Sequence, residues 1–139
     1  MKKLIVTLVF GAIGSLMLSC SKSKEVVVTP DLVSEVVGDY QFKSLTKANQ
    51  QPISICLGSV SVQRAGNSSN QIEVTIAYKT ADQVSLHYEA KIFNIRQTDE
   101  MVALYSGGKK EGTTIQKGEI SAIGYHFGIT SINFVAKKY

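Results

Sequence analysis

From Gly38 onward, hydrophobic side chains recur at every second position. Val60 and Val62 alternate with Ser59, Ser61 and Gln63, and Ile72, Val74, Ile76 and Tyr78 alternate with Glu73, Thr75, Ala77 and Lys79. Val84, Leu86, Tyr88, Ala90 and Ile92 alternate in the same way with Ser85, His87, Glu89 and Lys91. Successive side chains of a strand point to opposite faces, so this period puts one apolar face on a core and leaves the other wet. The hydrophobic runs are joined by short polar or glycine-containing stretches at residues 66–70, 80–83, 97–100 and 106–110. Parallel strands need crossovers of about a dozen residues, so connections this short demand antiparallel neighbours.

The pattern predicts eight strands, near residues 39–45, 53–63, 71–79, 83–95, 101–105, 112–116, 119–126 and 130–137. The expected fold class is all-β: an antiparallel eight-stranded meander closed into a barrel, which removes exposed strand edges. A two-sheet β-sandwich is the alternative. Hydrophobic positions change phase from Ile92 to Phe93 and Ile95, which predicts a bulge where the fourth strand bends. Ahead of the strands, Pro30, Asp31 as a cap and Gly38 as a stop suit one short helical element with Leu32, Val33, Val36 and Val37 turned inward.

The first residues have a different character. Lys2 and Lys3 precede the run 4–18, whose only polar members are Thr7 and Ser15. A basic start followed by an apolar run too short to cross about 30 Å of hydrocarbon reads as an export signal rather than a span. The run ends Met17-Leu18-Ser19-Cys20, which resembles a bacterial lipobox, with Met17 where that pattern usually has leucine. The resemblance implies a lipidated Cys20 as the mature N-terminus and attachment to a membrane through acyl chains. Ser21 after the cysteine, rather than aspartate, implies the outer membrane by the sorting rule of enterobacterial lipoproteins. A plain signal peptide with a free Cys20 is the alternative. The expected organisation is a signal peptide over 1–19, a lipidated cysteine and tether over 20–29, and a single barrel domain over 30–139.

Removing residues 1–19 takes away Lys2 and Lys3 and leaves thirteen basic against eleven acidic side chains. The lysine pairs 109–110 and 137–138 stand apart, with no interleaved aromatics, so no nucleic-acid partner is expected. With Cys20 committed to lipid, Cys56 has no intramolecular partner. Its setting, Ile53-Ser54-Ile55-Cys56-Leu57, predicts a buried small hydrophobe rather than a nucleophile.

The helical turn followed by Gly38-Asp39-Tyr40 resembles the Gly-x-Trp opening of lipocalins, with Tyr40 in place of tryptophan. The close, Ile132-Asn133-Phe134-Val135-Ala136-Lys137-Lys138, is similar to the final strand of small bacterial lipocalin-like lipoproteins. The chain is shorter than a typical lipocalin and carries no further lipocalin motif. The resemblance implies a lipocalin-like barrel with a ligand-binding interior.

Catalytic constellations find no positive support. His87 is expected on the polar face of the fourth strand, and His126 lies among glycines; neither belongs to a HExxH motif or a Cys/His cluster that would fix a metal. The mature chain has no Gly-x-Ser-x-Gly elbow, and Gly107-Gly108-Lys109 lacks the flanks of a phosphate loop and reads as a hairpin tip. Asp82 and Asp99-Glu100 fall in turns. No cofactor is expected. Tyr40, Phe42, Tyr78, Tyr88 and Phe134 are the candidate ligand-binding residues, with core filling as the competing role, because an eight-stranded barrel is just wide enough for either. The expected function is a non-enzymatic envelope lipoprotein that binds a small apolar ligand. The alternative is an accessory or inhibitor protein that contacts another envelope protein through loops 64–70 and 106–112.

Overall fold

The structure is a computed structural model that describes residues 31–139. The signal peptide, Cys20 and tether expected before them lie outside the described residues. One short helix, α1 (Leu32–Val36), is followed by β1 (Gly38–Lys47), β2 (Ile55–Arg64), β3 (Gln71–Thr80) and β4 (His87–Thr98). Then come β5 (Met101–Ser106), β6 (Lys109–Gln116), β7 (Glu119–Phe127) and β8 (Thr130–Lys138). Every strand pairs antiparallel with its neighbour in sequence, and β8 pairs back onto β1, closing an eight-stranded up-and-down barrel. Closure rules out the two-sheet sandwich.

Alternation decides what fills the interior. Tyr40, Val60, Val62, Ile72, Val74, Ile76, Leu104, Ile120, Ile132 and Phe134 are inward and fully or almost fully buried. Each such side chain stabilises the fold by about 1.5–3 kcal/mol relative to exposure. The register slips at Phe42/Ser44, Ile55/Leu57, Ala103/Tyr105 and Ala122/Tyr125. Irregularities of this kind sharpen the local twist and curve the wall. The bulge expected in β4 is not among them: β4 runs in unbroken register with β3 from Asn94 opposite Gln71 to His87 opposite Tyr78.

One end of the barrel is closed by α1. Asp31 caps the helix by accepting a hydrogen bond from the Val33 amide at 3.2 Å, and Ser34 Oγ donates to its other oxygen at 2.7 Å. Arg64, at the end of β2, pairs with Asp31 and also donates to the Ser68 carbonyl at 2.8 Å. The helix and the β2–β3 connection are thereby held to one strand end. Hydrogen bonds from Arg64 and then Ser34 keep the Asp31 carboxyl below its ordinary value. Val33 and Val36 are buried, and the Tyr40 hydroxyl donates to the Val36 carbonyl at 2.6 Å, satisfying a group the helix end leaves without a partner.

β5 and β6 are the short strands. Gly107 and Gly108 turn them at φ 56° and 80°, the paired positive angles that a two-residue hairpin connection requires. The connection expected as a loop over 106–112 is therefore this tight turn, with Lys109 already paired to Ser106. Just below the turn, Gly112 passes so close to the Ile123 carbonyl that a Cβ would collide with it. Gly112→Ala is expected to destabilise the fold by about 1–3 kcal/mol, the usual range for overpacking, as read by chemical denaturation. Wild-type stability in that variant would show that β6 and β7 do not approach this closely.

Candidate functional site

The open end of the barrel, opposite α1, holds a cup of about 950 Å³. Its walls come from the β1–β2, β3–β4 and β7–β8 connections, and its apolar lining includes Ile53, Tyr78, Phe127 and Ile132. Ligand cavities of roughly 300–1,000 Å³ with an apolar lining and a few convergent polar groups are the usual form of a small-molecule site.

The β3–β4 wall carries Thr80, Asp82, Gln83 and His87, and Lys47, Asn49, Ser54, Thr130 and Ser131 add polar groups from the other sides. The His87 ring stacks on Tyr78, with centroids 5.0 Å apart and planes at 22°, and Phe127 lies 5.3 Å from Tyr78. His87 Nε2 contacts Gln83 Oε1, which also accepts from Thr80 Oγ1 at 2.7 Å. An imidazole nitrogen in contact with a carboxamide oxygen donates to it, which leaves Nδ1 as the ring atom not engaged by Gln83. At the rim, the neighbouring Thr80 side chain and then its own backbone amide hold the Asp82 carboxyl below its ordinary value, and the charge of Lys47 adds to the effect. Burial pushes the Tyr78 phenol up.

Below the cup the barrel wall is discontinuous as a sheet. β4 meets β5 only over residues 94–98, so residues 87–93 pair with β3 alone. β7 meets β6 only over 119–122, so residues 125–127 pair with β8 alone. Side chains span this interval. Glu89 and Lys91 form an ion pair at 2.7 Å; Lys91 Nζ donates to the His126 carbonyl, and Glu89 accepts from the Gly128 amide at 2.7 Å. Lys91 Nζ also stands 4.9 Å from the centre of the Tyr125 ring.

Tyr125 packs against Phe93 and Phe134 at 6.1 and 5.8 Å. Among the described residues its hydroxyl is buried without a hydrogen-bond partner. Burial, followed by the charges of Glu89 and Glu111, pushes this phenol far above its ordinary value. An unpaired buried hydroxyl costs about 1–3 kcal/mol in lost hydration. Tyr125→Phe is therefore expected to be neutral or stabilising by up to about 1–2 kcal/mol in denaturation, whereas a loss exceeding about 1 kcal/mol would show that the hydroxyl is held.

The structure disperses the five aromatic candidates. Tyr78 lines the cup. Tyr40 is fully buried beside α1, and Phe42 and Phe134 meet edge-to-face at 5.6 Å inside the barrel, so these three fill the core. Tyr88 stands on the outer face, 65% exposed, because it pairs with Ala77, between the inward residues Ile76 and Tyr78. Consequently His87, Glu89 and Lys91 point inward, and His87 belongs to the cup rather than to a wet outer face. Cys56 is also corrected: the register slip between Ile55 and Leu57 turns it outward, where it is exposed and its thiol lies 3.4 Å from the Lys79 carbonyl.

Ile53 and Ile132 were not singled out as lining residues by sequence reasoning, since the cup depends on which connections reach the same end; Phe127 belongs to the aromatics that can line a barrel mouth, and it does so. For His87 a signal was present in Phe93 and Ile95, whose phase places residues 87, 89 and 91 on the same inward face. Cys20 lies outside the described residues. No three His, Cys, Asp or Glu side chains converge in a metal-binding arrangement among the described residues. Comparison with family models, characterised proteins and solved structures finds no match to this chain.

Proposed function

We propose that this chain is an exported lipoprotein of the outer membrane, anchored by acyl chains on Cys20, that acts by binding rather than catalysis. It carries a small, predominantly apolar ligand in the open end of a lipocalin-like barrel. The observation that carries the reading is the cup: apolar on Ile53, Tyr78, Phe127 and Ile132, with His87 presented on one wall. The remaining aromatics fill the barrel beneath it, so the ligand occupies the mouth rather than the whole interior. Dispersion and loss of water at the lining provide affinity, while the His87 imidazole supplies a hydrogen bond that orients the ligand.

Native mass spectrometry of the protein extracted gently from its own host tests this. The expected result is a reproducible added mass that leaves on denaturation. Ala48→Trp and Ala81→Trp, at exposed positions on the cup lining, should lower the retained fraction at least tenfold with the melting temperature unchanged. A clean apo mass would remove the ligand reading.

The anchor is tested separately. Cys20→Ala is expected to move the protein from the membrane fraction to the soluble fraction, and continued membrane attachment would overturn lipidation as the means of anchoring.

A second reading, an accessory or inhibitor protein that binds another envelope protein, is supported by a different feature. Tyr88 and Ile92 are exposed on the outer face of β4, 65% and 57% respectively. Loops 64–70 and 106–112 do not adjoin, the first lying beside α1 and the second being the β5–β6 turn that points away from it, so the face of β4 is the better basis.

A further inference from the structure

The two ends of the barrel differ in more than the presence of a cup. The connections that border the mouth, residues 48–54, 81–86 and 128–129, contain a single charged side chain, Asp82. They also carry Val84, which is 93% exposed, Ile129, which is fully exposed, and Leu86, which is half exposed. The closed-end connections, residues 65–70, 99–100 and 117–118, hold no aliphatic side chain larger than that of Ala65. A single exposed leucine on a surface is ordinary, but aliphatic loop tips gathered around the mouth of an apolar cavity form a rim that water solvates poorly.

Charge is polarised along the same axis. Lys47 and Lys79 stand at the mouth ends of β1 and β3, and Lys109 and Lys110 follow the β5–β6 turn, which points the same way, against Asp82 and Glu111. Glu89 is already paired with Lys91. Around the closed end lie Asp31, Glu35, Asp39, Asp99, Glu100 and Glu119. The basic groups there are Arg64, paired with Asp31; Lys117, paired with Glu100; Lys138, which donates to the Glu35 carbonyl at 3.4 Å; and Lys137, opposite Glu119 in the register of β7 and β8, four against the six carboxylates. The described chain begins at this acidic end, where Asp31 caps α1.

We infer that the mouth rim is a membrane-docking surface. Val84, Leu86 and Ile129 enter the interface of a bilayer that contains anionic phospholipid, Lys47 and Lys79 lie over its headgroups, and the acidic end is turned away. Aliphatic tips bury in the acyl boundary while lysines nearby meet lipid phosphates within a Debye length of about 10 Å. The cup then opens directly onto lipid. This surface stands independently of whether the cup carries a ligand.

The chain contains no tryptophan, so one introduced at the rim is a sole reporter. Full-length Ile129→Trp protein is reconstituted into phosphatidylcholine vesicles and mixed with vesicles of phosphatidylethanolamine and phosphatidylglycerol, brominated acyl chains being placed in either population. The expected result is a shift of emission to shorter wavelength and quenching by the brominated lipid. Omitting phosphatidylglycerol, raising salt, or adding Lys47→Glu with Lys79→Glu should weaken both several-fold. Tyr139→Trp, at an 82% exposed position of the closed end, should show neither.

An unshifted and unquenched Ile129→Trp signal overturns the proposal. So does equal quenching at both positions, or a shift produced by an envelope protein fraction but not by vesicles, which would make the rim a protein-docking surface. Retention of the added mass by a Val84→Asp, Leu86→Asp variant that no longer contacts vesicles would separate this surface from the ligand reading, since neither residue lines the cup.

Discussion

A closed barrel requires each strand to find a neighbour on both sides, and in this one the short β5–β6 hairpin withholds neighbours from the mouth-end parts of β4 and β7. Exposed strand edges invite pairing with other chains. Here the interval is spanned by side chains: Glu89 reaches the Gly128 amide, Lys91 reaches the His126 carbonyl, and the two pair with each other. The side chains of Lys91 and Glu89 remain 33% and 20% exposed, so they keep part of their hydration and the desolvation penalty of a fully buried pair is avoided. A hydrophobic pair of similar size could pack beneath the cup, but it could not satisfy the backbone carbonyl of His126 or the amide of Gly128.

That arrangement determines the orientation of the whole upper part of β4. With Glu89 and Lys91 directed inward, His87 must also face inward, and Tyr88 and Ile92 must face out. The cup thereby acquires an imidazole stacked on Tyr78, while the outer surface acquires apolar side chains. The polar wall of the candidate site and the exposed apolar strip outside it are two faces of one strand phase.

The strand count, the antiparallel meander, the barrel and the helix between Asp31 and Gly38 were all legible in the sequence, because period-two burial and short connections leave little freedom in topology. β4 was misread for an identifiable reason. Tyr88, Ala90 and Ile92 form a regular apolar row, and local alternation assigns such a row to the core. Phe93 and Ile95 carry the opposite phase, and the unbroken pairing with β3 decides in their favour. The inward polar row is then tolerated because partners on β7 and the β7–β8 turn are available across the interval, information that no local pattern contains. Cys56 escaped for a related reason: a one-residue slip reverses the face of a side chain, and the slip at Ile55/Leu57 depends on the pairing with β3.

The same reasoning explains why only part of the candidate site could be anticipated. Aromatic residues on inward positions of an eight-stranded barrel can fill it or line a cavity, and the height of each along the barrel axis determines which. Tyr40 lies beside α1, where its hydroxyl completes the helix end; Phe134 meets both Phe42 and Tyr125 in the middle; Tyr78 and Phe127 reach the open end. Filling the lower barrel gives the cup a packed floor, so a ligand there meets side chains already fixed by neighbours rather than a deep void that must be reorganised. Pre-ordered walls lower the entropic cost of binding. The closed end thus contributes to the proposed site by holding its floor still, although none of its residues touches the cup.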